Sequence, residues 1–170
     1  MTNAPSDPLP LIQSLERLVP DPTRGLPEPV FRFATRITPM VNVDLLIQDE
    51  AGRTLLTWRE GEIYLPGWHI PGGIIRYKET WADRILAVAA GELGTTIRFD
   101  PVPMTVREVI HPDRKDRGHF ISLLFRCELT GPLDASRRHP GGKPAHGCWA
   151  WHERCPHDLL DVQEMYRPYF

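Results

Sequence analysis

Cysteine is scarce. Cys127, Cys148 and Cys155 are odd in number and show no CxxC spacing, which argues against a disulfide framework and leaves reduced thiols as the expectation. A zinc set can be drawn from Cys148, His152, Cys155 and His157, but their compressed spacing matches no common finger pattern. No run of 18 apolar residues occurs, and the opening MTNAPSDPLPLIQSLERL lacks a basic start followed by an apolar stretch. A soluble, cytoplasmic protein that does not enter a membrane is therefore expected. Neither sign of charge dominates: 20 Lys and Arg against 22 Asp and Glu leave a net charge of -2. That balance argues against a broad nucleic-acid-binding surface, yet leaves room for an arginine cluster that holds a small anion. Internal repeats are absent as well.

What is present fits one domain. A chain of 170 residues can bury a real core, whereas two full domains would be cramped. Its 18 prolines call for many loops. Residues 1–27 read as a proline-rich extension with one short helix at Leu11 to Leu18, and residues 28–170 as the main domain. From Val30 onward strand signals dominate. Val41, Val43 and Leu45 alternate with polar residues, residues 49–53 form a turn, and Thr54 to Trp58 resume an extended run, which together predict a hairpin. A loop from Glu60 to Gly67 leads to Trp68, and Pro71-Gly72-Gly73 interrupts regular strand geometry.

Glu79 to Leu93 reads as the clearest helix: it is free of proline, spaces Trp81, Ile85, Val88 and Glu92 on one stripe, and ends at Gly94. Further strands are expected at Ile97 to Phe99, Thr105 to Ile110 and Phe120 to Leu129, with a last strand at Cys148 to Trp151 and a last helix at His157 to Met165. Strands interleaved with a few helices predict an α/β or α+β sandwich whose central helix packs on a mixed sheet.

Within this frame, Gly73-Ile-Ile-Arg-Tyr-Lys-Glu79 followed by Glu92-Leu93-Gly94 resembles the Nudix box, G-x5-E-x7-R-E-U-x-E-E-x-G-U, where U is aliphatic. Gly73, Glu79, Glu92 and Gly94 match in register. Ala87 and Val88 replace the Arg-Glu pair, and Gly91 replaces the first glutamate of the Glu-Glu pair. The resemblance implies the Nudix α/β/α sandwich with a central mixed β-sheet, and a metal-dependent hydrolase. A loop feeding a helix start suits phosphate, and a carboxylate further along can hold Mg²⁺, or Mn²⁺ in its place. With Glu92 as the one remaining box ligand, a single-metal site is the economical reading. Glu79, matched to the box and carried as a candidate metal ligand, has a structural role at the helix start as its stronger alternative.

The eroded box is similar to that of the GDP-mannose mannosyl hydrolase branch, as are Phe33-Ala34-Thr35, Thr38-Pro39, Asp44, Leu55-Leu56 with Arg59, Trp68, Pro71-Gly72-Gly73, His146 ahead of Trp151, and Arg167 with Tyr169-Phe170. That likeness implies a nucleoside diphosphate sugar as small-molecule substrate, cleaved at the anomeric carbon, and a homodimer. It also implies roles. Glu92 and the Gly72 carbonyl would hold the metal, His146 would take the proton of the attacking water, and Arg59 would lie on the phosphates. Asp44 would orient the sugar or stabilise positive charge on its ring. Gly73, Trp68, Arg76 and His119 complete the expected substrate-binding set. Plainer roles compete: a loop histidine for His146, a surface cation for Arg59, and an outward-facing strand residue for Asp44. The branch normally has an arginine after the paired glycines, where this chain has Ile74, and a glutamine ligand before the catalytic histidine, where it has Ala145. Two other functions remain open, a Nudix pyrophosphatase cutting between phosphates and a non-catalytic nucleotide-binding module.

Overall fold

Strand β1 (Met40–Ile47) is buried along most of its length, and its two faces pack against different layers. In the computed structural model, which describes residues 7–61 and 65–170, it runs parallel to β7 (His119–Leu129) at the centre of a mixed five-stranded sheet. On its other side β1 pairs antiparallel with β4 (Gly72–Ile74). Along the far side of β7 lie β5 (Ile97–Phe99) and β6 (Thr105–Ile110), both antiparallel to it. A second, antiparallel sheet holds β3 (Gly67–His69), β2 (Thr54–Arg59) and β8 (Trp149–His152) in that order.

The expected β1–β2 hairpin does not form. Apart from one bridge between Gln48 and Thr54, the two strands part into different sheets. The 49–53 turn itself is present, closed by the Arg53 N–H on Asp49 and by Gly52 at φ 76°. Each strand is buried almost throughout, so each needs partners on both edges, and those come from distant segments.

Side-chain alternation along β1 decides what each layer contains. Val43, Leu45 and Ile47 join Ile85, Val88, Ala89 and Leu93 of the helical segment in one core. Leu46 points the other way, into a second core with Trp58, Trp68, Ile70 and the fully buried Tyr166. Burying each such large apolar side chain contributes about 1.5–3 kcal/mol. Asp44 shares the parity of Leu46 and so faces the same layer.

Helix α3 (Trp81–Val88) begins at Thr80, which forms a reciprocal capping box with Asp83. Beyond Val88 the helix widens into a π turn, Ala89–Leu93, and stops at Gly94 in the left-handed region at φ 63°, the terminator read from the sequence. Trp81 departs from the expected buried stripe and is half-exposed.

Helix α1 (Leu9–Leu18) covers the predicted segment and starts two residues earlier. Residues 28–37, expected to lead into strands, form helix α2 (Glu28–Ile37) instead. An i,i+4 pair, Arg32 to Glu28 at 2.7 Å, supports it, and Arg36 binds Asp116 of the 112–118 turn. The closing helix is a 3₁₀ segment, Asp161–Tyr169, rather than His157 to Met165. It covers the face of the sheet opposite α3. Part of the loop expected from Glu60 to Gly67, residues 62–64, lies outside the described residues. No described helix is long and apolar enough to cross a membrane.

Candidate active site

Strand β2 sends Leu55, Thr57 and Arg59 to one face. Leu55 enters the core beside α3, so Thr57 and then Arg59 emerge at its edge. Glu92, one turn beyond the buried Val88, arrives there from the π turn. Its Oε2 accepts the Thr57 hydroxyl at 3.0 Å, and its Oε1 lies 3.4 Å from Arg59 Nη2. His69 stands opposite Thr57 on β3, with Nε2 3.4 Å from Glu92 Oε2 and 3.2 Å from Thr57 Oγ1. Burial, and then the Arg59 cation, push the His69 pKa down, so the ring is neutral at pH 7. Burial raises the Glu92 carboxyl, but His69, Arg59 and Thr57 outweigh it and leave it below the ordinary range. Glu92 is thus an ionised carboxylate, 26% exposed at its side chain and held from three sides.

A second polar centre lies on the opposite side of β1. Asp44 is buried; its Oδ2 accepts the Ser122 and Tyr166 hydroxyls, each at 2.8 Å, and its Oδ1 accepts Gln163 Nε2 at 3.2 Å. Gln163 also binds the Ile70 backbone on both sides, accepting N–H at 2.6 Å and donating to C=O at 3.1 Å. Burial raises Asp44 to about 6 despite these donors. Gly72 is required here, because a Cβ on it would come within 2.3 Å of Asp44 Oδ1.

Two clefts meet along Arg59, His69 and His146, which line both. The first, about 380 Å³, contains Asp44, Gly72, Gly73, Ser122 and Gln163. The second, about 550 Å³, contains Thr57, Glu92, Arg137 and Arg138. The structure therefore brings together Asp44, Arg59, Gly72, Gly73, Glu92 and His146 from the sequence-predicted set. His146 is exposed, and its Nδ1 accepts the Glu60 N–H at 3.1 Å. In the neutral ring this contact assigns the proton to Nε2.

Four predicted residues fall elsewhere. Trp68 is buried in the core, edge-on to Trp58 at 5.3 Å and to His152 at 4.6 Å, and lines neither cleft. Glu79 gives Oε1 to Arg84 at 2.7 Å, and Oε2 to Arg84 at 2.9 Å and the Arg76 N–H at 2.8 Å. That carboxylate fixes the turn before α3, the structural role expected for it at the helix start. Arg76 is exposed outside both clefts, and His119 sits 3.2 Å from Glu108 on the β6–β7 pair. Sequence reasoning missed Thr57, His69, Ser122, Gln163, Tyr166, Arg137 and Arg138. Strand alternation carried a signal for Thr57 alone, through its parity with Arg59.

Glu92 is the box carboxylate that the structure places at a cleft, an oxygen ligand of the kind a hard divalent cation takes. Val88, at a box carboxylate position, is packed in the core against Gly73, and Gly91, at another, has no side chain. Glu92 remains, and among the described residues no group of three or more His, Cys, Asp or Glu side chains is arranged to hold a metal ion. Mg²⁺ tolerates so small a protein share because water and phosphate oxygens complete its shell.

A family profile described as the NUDIX domain matches residues 38–152. The low-salt glycan biosynthesis protein Agl8 of Haloferax volcanii is 35% identical over 111 residues, which cover 64% of this chain and 70% of that protein. Among solved structures, a MutT NUDIX hydrolase from Burkholderia pseudomallei superposes with TM-score 0.60 at 18% identity, covering 78% of this chain and 98% of that one. A possible asymmetric diadenosine tetraphosphate hydrolase from Jonesia denitrificans gives 0.58 at 23% identity, over 76% and 90%. At such identities the structural likeness speaks for the fold alone. Gln163 and Tyr166 lie beyond the matched segment.

Proposed function

The chain belongs to the Nudix hydrolase family, and on that premise we propose that it hydrolyses a nucleoside diphosphate sugar of the GDP-mannose kind by water attack at the anomeric carbon. Nucleoside diphosphate and free sugar are the products. The carrying observation is the eroded box: of its carboxylates, Glu92 is the one among the described residues that lines a cleft, where the family pattern has several acids. Cleavage between phosphates by activated water draws on more metal-holding carboxylates than this site offers. The likeness to a protein named for glycan biosynthesis supports a sugar-linked substrate.

Glu92 and the Gly72 carbonyl would hold Mg²⁺, which when bound stabilises the departing diphosphate. Arg59 adds a second positive group to those phosphates. Asp44 faces the sugar and offsets charge developing on its ring. His146 takes the proton of the attacking water. In the conformation described it is a donor, since Glu60 occupies Nδ1. Proton uptake therefore requires the 131–147 loop to release Glu60, and Gly141, Gly142 and Gly147, all at positive φ, give that loop its backbone freedom.

Chromatography of the products formed from GDP-mannose with Mg²⁺ tests the reading. It predicts GDP and mannose, and loss of turnover in Glu92→Gln. Mannose 1-phosphate with GMP would overturn it in favour of a pyrophosphatase, and binding without turnover would favour a non-catalytic module.

A further inference from the structure

The two clefts differ in chemistry more than in size. Arg59, Arg137 and Arg138 line the second, where Glu92 is the one carboxylate among the described residues. In the first, Arg59 and Arg117 are balanced by Asp44 and Glu60, and apart from the shared His69 and His146 the remaining polar side chains among the described residues are amide and hydroxyl: Asn42, Ser122 and Gln163.

The arginines of the second cleft are placed by backbone, not left on a free loop. Arg137 closes a short 3₁₀ turn, Ala135–Arg137; it donates to the Gly91 carbonyl and lies 3.1 Å from Asp134. It thereby ties the loop to the π turn that carries Glu92. Arg138 follows, its backbone bridged to Trp149 of β8 and its side chain exposed. Gly91, between Arg137 and Glu92, has open space where a side chain would stand. The missing acid leaves both room and positive charge. In the first cleft, Asn42 Oδ1 is buried without a hydrogen-bond partner, an acceptor suited to a ligand hydroxyl.

We infer that the substrate is divided between the clefts: its diphosphate enters the second and is bound by Arg138 beside Arg59, while its uncharged, hydroxyl-bearing sugar fills the first against Asn42. The bond to be cut then lies at the shared wall of Arg59, His69 and His146. This inference rests on the proposed diphosphate-sugar substrate, but it concerns where each half binds, so binding tests it independently of which bond breaks.

The experiment is equilibrium binding of pyrophosphate, GDP and GDP-mannose, in Mg²⁺, to the wild-type protein and to Arg138→Ala, Arg98→Ala and Asn42→Ser. Arg138→Ala should weaken pyrophosphate and GDP about tenfold, the effect of losing one charge-assisted hydrogen bond. Arg98→Ala removes the same charge from exposed β5 and should change neither. Asn42→Ser should weaken GDP-mannose while leaving GDP unchanged. Unchanged GDP affinity in Arg138→Ala, equal losses in Arg98→Ala, or a wild-type protein that binds neither pyrophosphate nor GDP overturns the division. GDP binding that depends on Arg138, without turnover at carbon, supports the division and refutes the proposed reaction. Turnover at carbon that ignores Arg138 does the reverse. Should Asn42→Ser fail to fold, Arg138 on the surface still decides the phosphate half.

Discussion

Gln163 donates to Asp44 Oδ1 at 3.2 Å from a side chain that cannot turn round. Its carbonyl is committed to the Ile70 N–H and its amide to the Ile70 C=O, so the amide must face Asp44. The closing 3₁₀ segment thus positions both the buried acid and the backbone just before Pro71-Gly72. Replacing Gln163 by Leu strips partners from three buried groups and should destabilise the protein by on the order of 3 kcal/mol in denaturant titration. Stability equal to wild type would contradict this linkage.

Asp44 makes stability depend on pH. Burial raises it from 3.8 to about 6, so folding favours its protonated form. Its stabilising contribution is present in full below about pH 3.8, falls as pH rises, and is lost beyond about 6. The shift corresponds to about 3 kcal/mol. In metal-free protein, the stability of wild type minus that of Asp44→Asn should decline chiefly between about pH 4 and about pH 6. A difference that rises with pH, or stays flat, sinks the assignment.

Thr57 donates to Glu92, and would thereby orient that carboxylate toward a bound cation. Thr57→Val keeps the side-chain shape on β2 but removes the hydroxyl that donates to Glu92 Oε2. Partners of this kind are worth roughly 10–100-fold in metal affinity. Mn²⁺ titration followed by electron paramagnetic resonance should show weakening in that range, with the fold intact by circular dichroism. Unaltered affinity would place the cation away from Glu92.

His146→Gln separates two uses of one side chain. Glutamine can donate to a phosphate but cannot take a proton. A base at this position predicts a loss of kcat of roughly 10²–10⁴-fold. A residue that merely donates predicts a small change expressed in KM.

Legibility followed the range of the interactions. Helix α3 and its stop at Gly94 rest on contacts within a few residues, and periodicity with capping chemistry displays them. The pairing of β1 does not. Its parallel partner begins at His119, and nothing local separates that arrangement from a hairpin with β2. Helix α2 was hidden because Val, Phe, Thr and Ile in EPVFRFATRI read as extended, while its tie to Asp116 depends on a turn far along the chain. Glu79, matched to the box, was expected as metal ligand or helix-start residue, and its pairing with Arg84 across the turn is a contact that the box match does not display. Trp68 matched a pattern, yet its aromatic neighbours come from β2 and β8. Gln163 and Tyr166 carry no signal at all before the closing segment is seen lying over Asp44.

The most direct measurement is hydrolysis of GDP-mannose with Mg²⁺ in ¹⁸O-labelled water, with both products weighed by mass spectrometry. Attack at the anomeric carbon predicts label in the free sugar and none in GDP. Label in a phosphate product would contradict it and move the chemistry to phosphorus.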